Sequence, residues 1–163
     1  MRRVVLRALG VLLLGAVSIG RLQAADTPPV PTREEVTAFV DEAVAFALQQ
    51  GRDKALAAFN ARDGGFVRGQ LYIYAYDVEG KCLAHGAKPE RVGRDCSQDV
   101  DPRGVSPHAE SLKILAKSDR GWFTYQWVDP VKGGTRSKLA YIRKVDATWY
   151  LGSGTYETPA PPR

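Results

Sequence analysis

Between Trp122 and Val128 aromatic and polar side chains alternate, the period of a half-buried β-strand. Two further strand-like segments follow, Lys138 to Val145 and Trp149 to Thr155. Asp129-Pro130 and Gly133-Gly134 supply the first turn, where proline fixes φ and glycine admits positive φ; Asp146-Ala147 supplies a tighter second one. Together they predict an antiparallel meander that carries all three tryptophans. So aromatic a sheet needs a cover on at least one face.

The upstream pattern supplies that cover. Val36, Phe39, Val40, Ala43, Val44 and Ala47 recur at helical spacing and form one apolar stripe. Thr32 with Glu35 makes a capping box ahead of it, and Gly51 ends it. A shorter helix, Asp53 to Asn60, sets Leu56 and Phe59 on one side, and residues 62–65 form a loop. From Leu71 to Asp77 the period returns to two, with Leu71, Ile73 and Ala75 on one face and Tyr72, Tyr74 and Tyr76 on the other. Both faces are bulky, which predicts a central strand. Val78-Glu79-Gly80 turns it into a hairpin partner, Lys81 to His85. Ser106 caps a third helix with Pro107 at its first position; Ala109, Leu112, Leu115 and Ala116 form its apolar side, and Asp119-Arg120-Gly121 closes it.

The order helix, helix, strand, strand, helix, three strands predicts an α+β domain with a five-stranded antiparallel sheet. The long N-terminal helix covers one face; short helices and loops cover the other. The space between sheet and loops is where a small ligand fits.

The amino terminus changes how the charge is read. Arg2, Arg3 and Arg7 precede an apolar run from Ala8 to Gly20, and Leu22-Gln23-Ala24-Ala25 offers small residues for cleavage. This is the pattern of a secretory signal peptide over 1–25, with an uncleaved N-terminal anchor as the alternative. A looser resemblance to a twin-arginine signal leaves the export route open. The prolines of 26–31 make a linker, the folded domain is expected over 32–156, and 157–163 reads as a disordered tail. The whole chain has 23 lysines and arginines against 18 acids, but four arginines lie in the signal and no acid precedes Asp26. The exported chain is therefore close to neutral, about +1, and nucleic-acid binding, which needs a clustered basic face, loses its support.

Two cysteines, Cys82 and Cys96, in a chain bound for an oxidising compartment predict a structural disulfide. Closing so short a loop contributes roughly 3 kcal/mol on chain-entropy arguments. A redox role would need a Cys-x-x-Cys arrangement, which the sequence lacks, as it lacks haem attachment.

Several motifs in order carry a family resemblance. Gly121-Trp122 with Tyr125, Trp127 and Pro130 comes first, then Ser137-Lys138 with Tyr141-Ile142 and Lys144-Val145, then Trp149-Tyr150-Leu151-Gly152-Ser153-Gly154 with Tyr156. This series resembles the C-terminal half of a single Cache domain. Gly64 to Gly86, with its tyrosine-bearing strand, Asp77-to-Gly80 turn and Ala84-His85 end, resembles the N-terminal half. Val92-Gly93-Arg94-Asp95 resembles the Val-Gly-Lys element that follows. The resemblance implies a PAS-like extracytoplasmic sensor module, of the kind found in chemoreceptors and sensor kinases. It implies binding of small ligands, often short organic acids, and no catalysis or cofactor.

The residues themselves offer a matching set. Tyr74, Tyr76, Tyr125 and Trp127 combine apolar rings with polar tips, which suits a small pocket as well as a core. His85 ends its strand in the family-like Ala-His dipeptide, although Gly86 stands where proline usually follows; it either donates a hydrogen bond to a ligand carboxylate or caps a strand edge or loop carbonyl. Lys138 is either a carboxylate partner at the pocket mouth or a solvent-facing strand lysine. Tyr141 completes the candidate set, but three residues beyond Lys138 it faces the opposite side of a regular strand. His108 opens a helix and is expected to be exposed. Asp99, Asp101 and Glu110 read as a charged loop in preference to a cation site, and Gly152 and Gly154 as room for a helix or ligand against the sheet.

No nucleophile motif or metal spacing supports an enzyme. The sequence therefore predicts a non-catalytic extracytoplasmic binding domain for a short carboxylate. With no membrane span or signalling segment after the domain, it is expected to act through a separate, membrane-bound partner. The alternative is a ligand-free interaction module docking to a membrane complex.

Overall fold

A computed structural model describes residues 29–157. The expected signal peptide, the start of the linker and the tail from 158 onward lie outside these residues. Helix α1, Arg33–Gln50, begins at the capping box: the Thr32 side chain accepts from the Glu35 amide, and the Glu35 carboxylate accepts from the Thr32 amide. All six residues of the expected stripe are buried. Helix α2, Arg52–Asn60, follows Gly51 directly and buries Ala55 and Phe59, with Leu56 partly covered.

The segment 71–77 is one pattern but two strands. Leu71–Tyr72 (β2) pairs with Val67–Arg68 (β1), a short hairpin absent from the expectation, and Tyr74–Asp77 (β3) pairs with Cys82–His85 (β4). The switch falls at Ile73, whose N–H is bonded back to Phe66 while its carbonyl accepts from Gly86. After a 3-10 turn at Pro89–Arg91 and helix α3, Pro107–Leu115, the meander runs as β5, Arg120–Val128, β6, Thr135–Lys144, and β7, Trp149–Tyr156. The five strands lie in the antiparallel order β4-β3-β7-β6-β5, as the expected fold class requires. β7 is central, and all eight of its residues are buried.

Alternation then sorts the side chains. Ala75, Leu151, Tyr141 and Trp122 pack with α1 and α2 in the larger core cluster. Tyr72, Tyr74, Ile142 and Tyr150 form a second cluster with Leu115 on the α3 side. Arg143 meets Asp41 at 2.7 Å, tying α1 to the sheet. Asn60 bonds the backbone of both Leu83 and His85, tying α2 to the edge strand.

Three expectations need correction. α3 buries His108, Ser111 and Leu115, while Ala116 is exposed, so its sheet-facing side is more polar than the expected stripe. The Cys82–Cys96 disulfide is not formed; both are free, buried thiols. Lys81 pairs with Asp95 in a single bridge, which makes Cys82 and Cys96 diagonal neighbours and not a facing pair. Diagonal positions stand about 7–8 Å apart, at or past the reach of a disulfide. Finally, Glu157 does not belong to a loose tail, since its N–H bonds the Ser137 carbonyl.

Candidate functional site

The strand register assembles a polar, aromatic face beneath α3. Tyr125 pairs with Lys138 and Lys138 with Tyr156; two same-face steps along the strands, past Ala140 and Gly154, Ile142 pairs with Gly152 and Gly152 with Tyr74, and beyond them Tyr76 pairs with Tyr150. These residues share one face because strand side chains alternate. Gly152 and Gly154 are what let large groups cross β7. A Cβ on Gly152 would lie 2.8 Å from the Tyr74 hydroxyl, and one on Gly154 would lie 2.9 Å from Cε of Lys138. The close approach expected at these glycines is made by side chains of the sheet itself.

A small, partly open cavity of about 30 Å³ lies between this face, α3 and the loop after β4. A single water needs roughly 10–15 Å³ on the same measure, so the space suits a solute of a few heavy atoms. Tyr74, Tyr76, Tyr125, Trp127 and Tyr150 are its aromatic walls; His108 and Ser111 come from α3, and Arg91, Cys96 and Asp99 from the loop. Five buried side-chain polar atoms among the described residues lack a partner. Two of the five, the Tyr74 hydroxyl and Nε of Arg91, belong to residues of the cavity wall. Both are donors, and a buried donor without an acceptor costs about 1–3 kcal/mol.

The electrostatics point the same way. Arg91 pairs with Asp99 and lies 5.0 Å over the Trp127 ring, with the Lys88 ammonium 5.2 Å from the same ring. Burial, reinforced by the positive charges of Lys138, Arg91 and Lys88, pushes the His85 pKa down to about 3. The neutral imidazole thus lies among basic groups, Lys88 and the Asp99-paired Arg91 on the loop side and the buried Lys138 behind it. His108 is also pulled down by burial, and its Nδ1 lies 3.0 Å from the Tyr150 hydroxyl.

A family model for the Cache domain matches residues 48–159. The chain belongs to the Cache family. Methyl-accepting chemotaxis protein McpP of Pseudomonas putida is 29% identical over 86 residues, 52% of this Cache domain chain and 16% of that protein. The chain thus spans a small part of that relative. A methyl-accepting chemotaxis protein from Vibrio parahaemolyticus superposes with a TM-score of 0.65 at 24% identity, covering 76% of this chain and 87% of that one. A periplasmic sensor domain of a chemotaxis protein gives 0.61 at 25% identity, covering 77% and 90%. A Cache chemosensory domain solved for carboxylic acid recognition gives 0.59 at 21% identity, covering 75% and 86%. The PAS-like α+β fold is common to all three.

Within this Cache domain, four of the expected site residues, Tyr74, Tyr76, Tyr125 and Trp127, line the cavity. Lys138 and His85 sit one layer behind it. Lys138 is fully buried, not solvent-facing: its ammonium donates to the Tyr72 hydroxyl at 2.8 Å and lies 4.1 Å from that ring's centre. Tyr72 in turn meets the Tyr156 hydroxyl at 3.2 Å, which donates to the Val128 carbonyl at 2.9 Å. His85 is stacked between Tyr72 and Trp127, and its Nδ1 accepts the Lys88 amide at 3.1 Å. Tyr141 is not brought to the cavity; it packs against Trp122 on the α1 side.

His108, expected to be exposed, is buried, because α3 lies on the sheet with that side down. Asp101 bonds the amides of Arg103, Val105 and Gln126, so its carboxylate pins the loop to β5. The sequence reading missed Arg91, Asp99, His108, Ser111 and Tyr150 as wall residues. For Tyr150 a signal existed, since it alternates in phase with Gly152 and Gly154. For Arg91 and Asp99, in aperiodic loop, there was none.

Proposed function

We propose that this Cache domain is a non-catalytic extracytoplasmic sensor module that binds a small carboxylate in the cavity beneath α3. Arg91 and Tyr74 donate to the carboxylate, while Tyr76, Tyr125 and Trp127 enclose the carbon end. Lys138 and His85 act from behind the wall, Lys138 through its charge and His85 by seating the rings of Tyr72 and Trp127. Tyr141 belongs to the helix-side core. The bound state is read by a separate, membrane-bound partner.

The observation that carries this reading is the pair of unpartnered donors, Tyr74 Oη and Arg91 Nε, in the walls of one small cavity. Donors call for an acceptor, the basic surroundings call for an anion, and the volume calls for a short one. The carboxylic acid recognition of the solved Cache chemosensory domain supports this class of ligand, and the chemotaxis relatives support a sensing role.

The test is thermal unfolding and calorimetric titration of the exported chain against acetate, propionate, lactate, pyruvate, amino acids and purines. A ligand at a hundred times its Kd adds about 2.7 kcal/mol to stability. Arg91→Met is expected to weaken that ligand by about 2–5 kcal/mol, roughly thirtyfold or more. A panel without any response would overturn the carboxylate reading in favour of the ligand-free interaction module.

A further inference from the structure

The space under α3 is divided in two. The first turns of the helix, through Pro107, His108 and Ser111, face the cavity; Leu112 and Leu115 of its last turn, with Ala116 just beyond it, face a second depression of about 220 Å³. One sheet residue, Tyr150, lies on both linings. Its ring is fully buried, stacked on His108 at 6.1 Å and tilted against Tyr76 at 6.0 Å, and its hydroxyl is bonded to His108 Nδ1. The Tyr150–His108 contact therefore spans from sheet to helix at the boundary between the two spaces.

The two spaces differ in chemistry. The cavity offers unpartnered donors. In the depression, Val78, Leu112 and Leu115 supply apolar walls, and the charged groups are already engaged. The Lys144 ammonium donates to the Leu115 carbonyl at 3.0 Å, and the Asp146 carboxylate accepts from Trp149 Nε1 at 2.9 Å and from Thr148. None of the buried unpartnered donors lies on this surface, and an alkyl chain fits its apolar part.

We propose that Tyr150 sets the chain length of the ligand, closing the cavity against the apolar depression beyond it. With the ring in place the acid must end within the cavity. With the ring cut back, the two spaces join and a straight-chain monocarboxylate lies with its head at Arg91 and its tail along α3. This rests on the carboxylate reading above and adds to it the residue that decides selectivity.

The experiment is calorimetric titration of the wild type, Tyr150→Phe, Tyr150→Leu and Tyr150→Ala with acetate, propionate, hexanoate and octanoate, each variant checked for folding by circular dichroism. The wild type and Tyr150→Phe, which keeps the ring, are expected to bind propionate and reject hexanoate. Tyr150→Ala and Tyr150→Leu are expected to shift the ratio toward hexanoate by at least roughly tenfold, from the methylenes newly buried. If alanine leaves too large a hole for folding, leucine carries the comparison, since it keeps an apolar side chain of intermediate size. Wild-type binding of propionate with an unchanged ratio in the folded variants overturns the role of Tyr150 and leaves the carboxylate site standing. Equal wild-type affinity for propionate and hexanoate overturns it as well. Wild type that binds none of the acids overturns the site itself.

Discussion

Lys138 is a cation placed wholly out of water, and its chemistry follows from that. Burial pulls its pKa from 10.5 down to about 7, with the Asp129 carboxylate opposing only in part. Between those values the unfolded chain holds a proton that the folded chain has released, so stability rises as pH climbs from about 7 toward 10. Chemical denaturation across that range is expected to show this slope, and Lys138→Met to flatten it. The same residue gives a binding signature. A carboxylate near the ammonium favours its charged form, so ligand binding at pH 8 takes up protons, measurable by calorimetry in buffers of different ionisation enthalpy. Lys138→Met removes the uptake. His85 titrates in a lower window: with its pKa held near 3 against 6.5 unfolded, its contribution to stability is lost as pH falls from 6.5 toward 3.

At the scale of the element, β7 combines a central position with two glycines that clear the way for its neighbours. Gly154→Ala puts a Cβ 2.5 Å from the Leu139 carbonyl oxygen and 2.9 Å from Lys138 Cε. We expect a loss of about 1–3 kcal/mol by urea denaturation, typical of overpacking, together with weakened acid binding as Lys138 is displaced. Thr32→Ala is the contrast. Losing the capping box of α1 costs about 0.5–2 kcal/mol, but α1 lies across the sheet from the cavity, so ligand affinity is expected to stay the same. A binding loss in Thr32→Ala would show that the two faces are coupled.

At the scale of the molecule, the sheet separates the side packed by α1 and α2 from the side proposed to bind the ligand. α1 and α2 bury an aliphatic and phenylalanine-rich layer against one face. The other face is covered by α3 and by the aperiodic run from 86 to 105, held by Asp101 and by the Arg91–Asp99 pair. Ligand binding is therefore expected to slow amide hydrogen exchange in residues 86–105 and in α3, with little change in α1 and α2. Protection spread evenly over both sides would mean that the ligand acts on global stability alone. No helix among the described residues is long and apolar enough to cross a membrane.

What the sequence determined by itself was local. The capping box, the helical stripe, the alternating strands and the Pro/Gly turns each depend on neighbours a few residues away, so the helices and the meander were legible, as was the shared face of Tyr125 and Trp127; Tyr141 stood in the candidate set although its alternation with Lys138 pointed to the other face. The ordered motifs carried the Cache fold. Tertiary structure decided everything that depends on enclosure. The Lys138 side chain was equally compatible with solvent or burial until Tyr72, Tyr74 and Tyr156 surrounded it. His108 and Ser111 turned inward because they share the face of α3 that carries Leu115 onto the sheet, a face more polar than the expected stripe. The strand expected at 71–77 split where the chain changes hydrogen-bond partner at Ile73, and the two cysteines came to lie diagonally across a single bridge. Arg91 reached the cavity from a 3-10 turn that has no period to read. Periodicity is a property of one segment, whereas a cavity is made where segments distant in the chain meet, and their packing alone fixes which side chains face it.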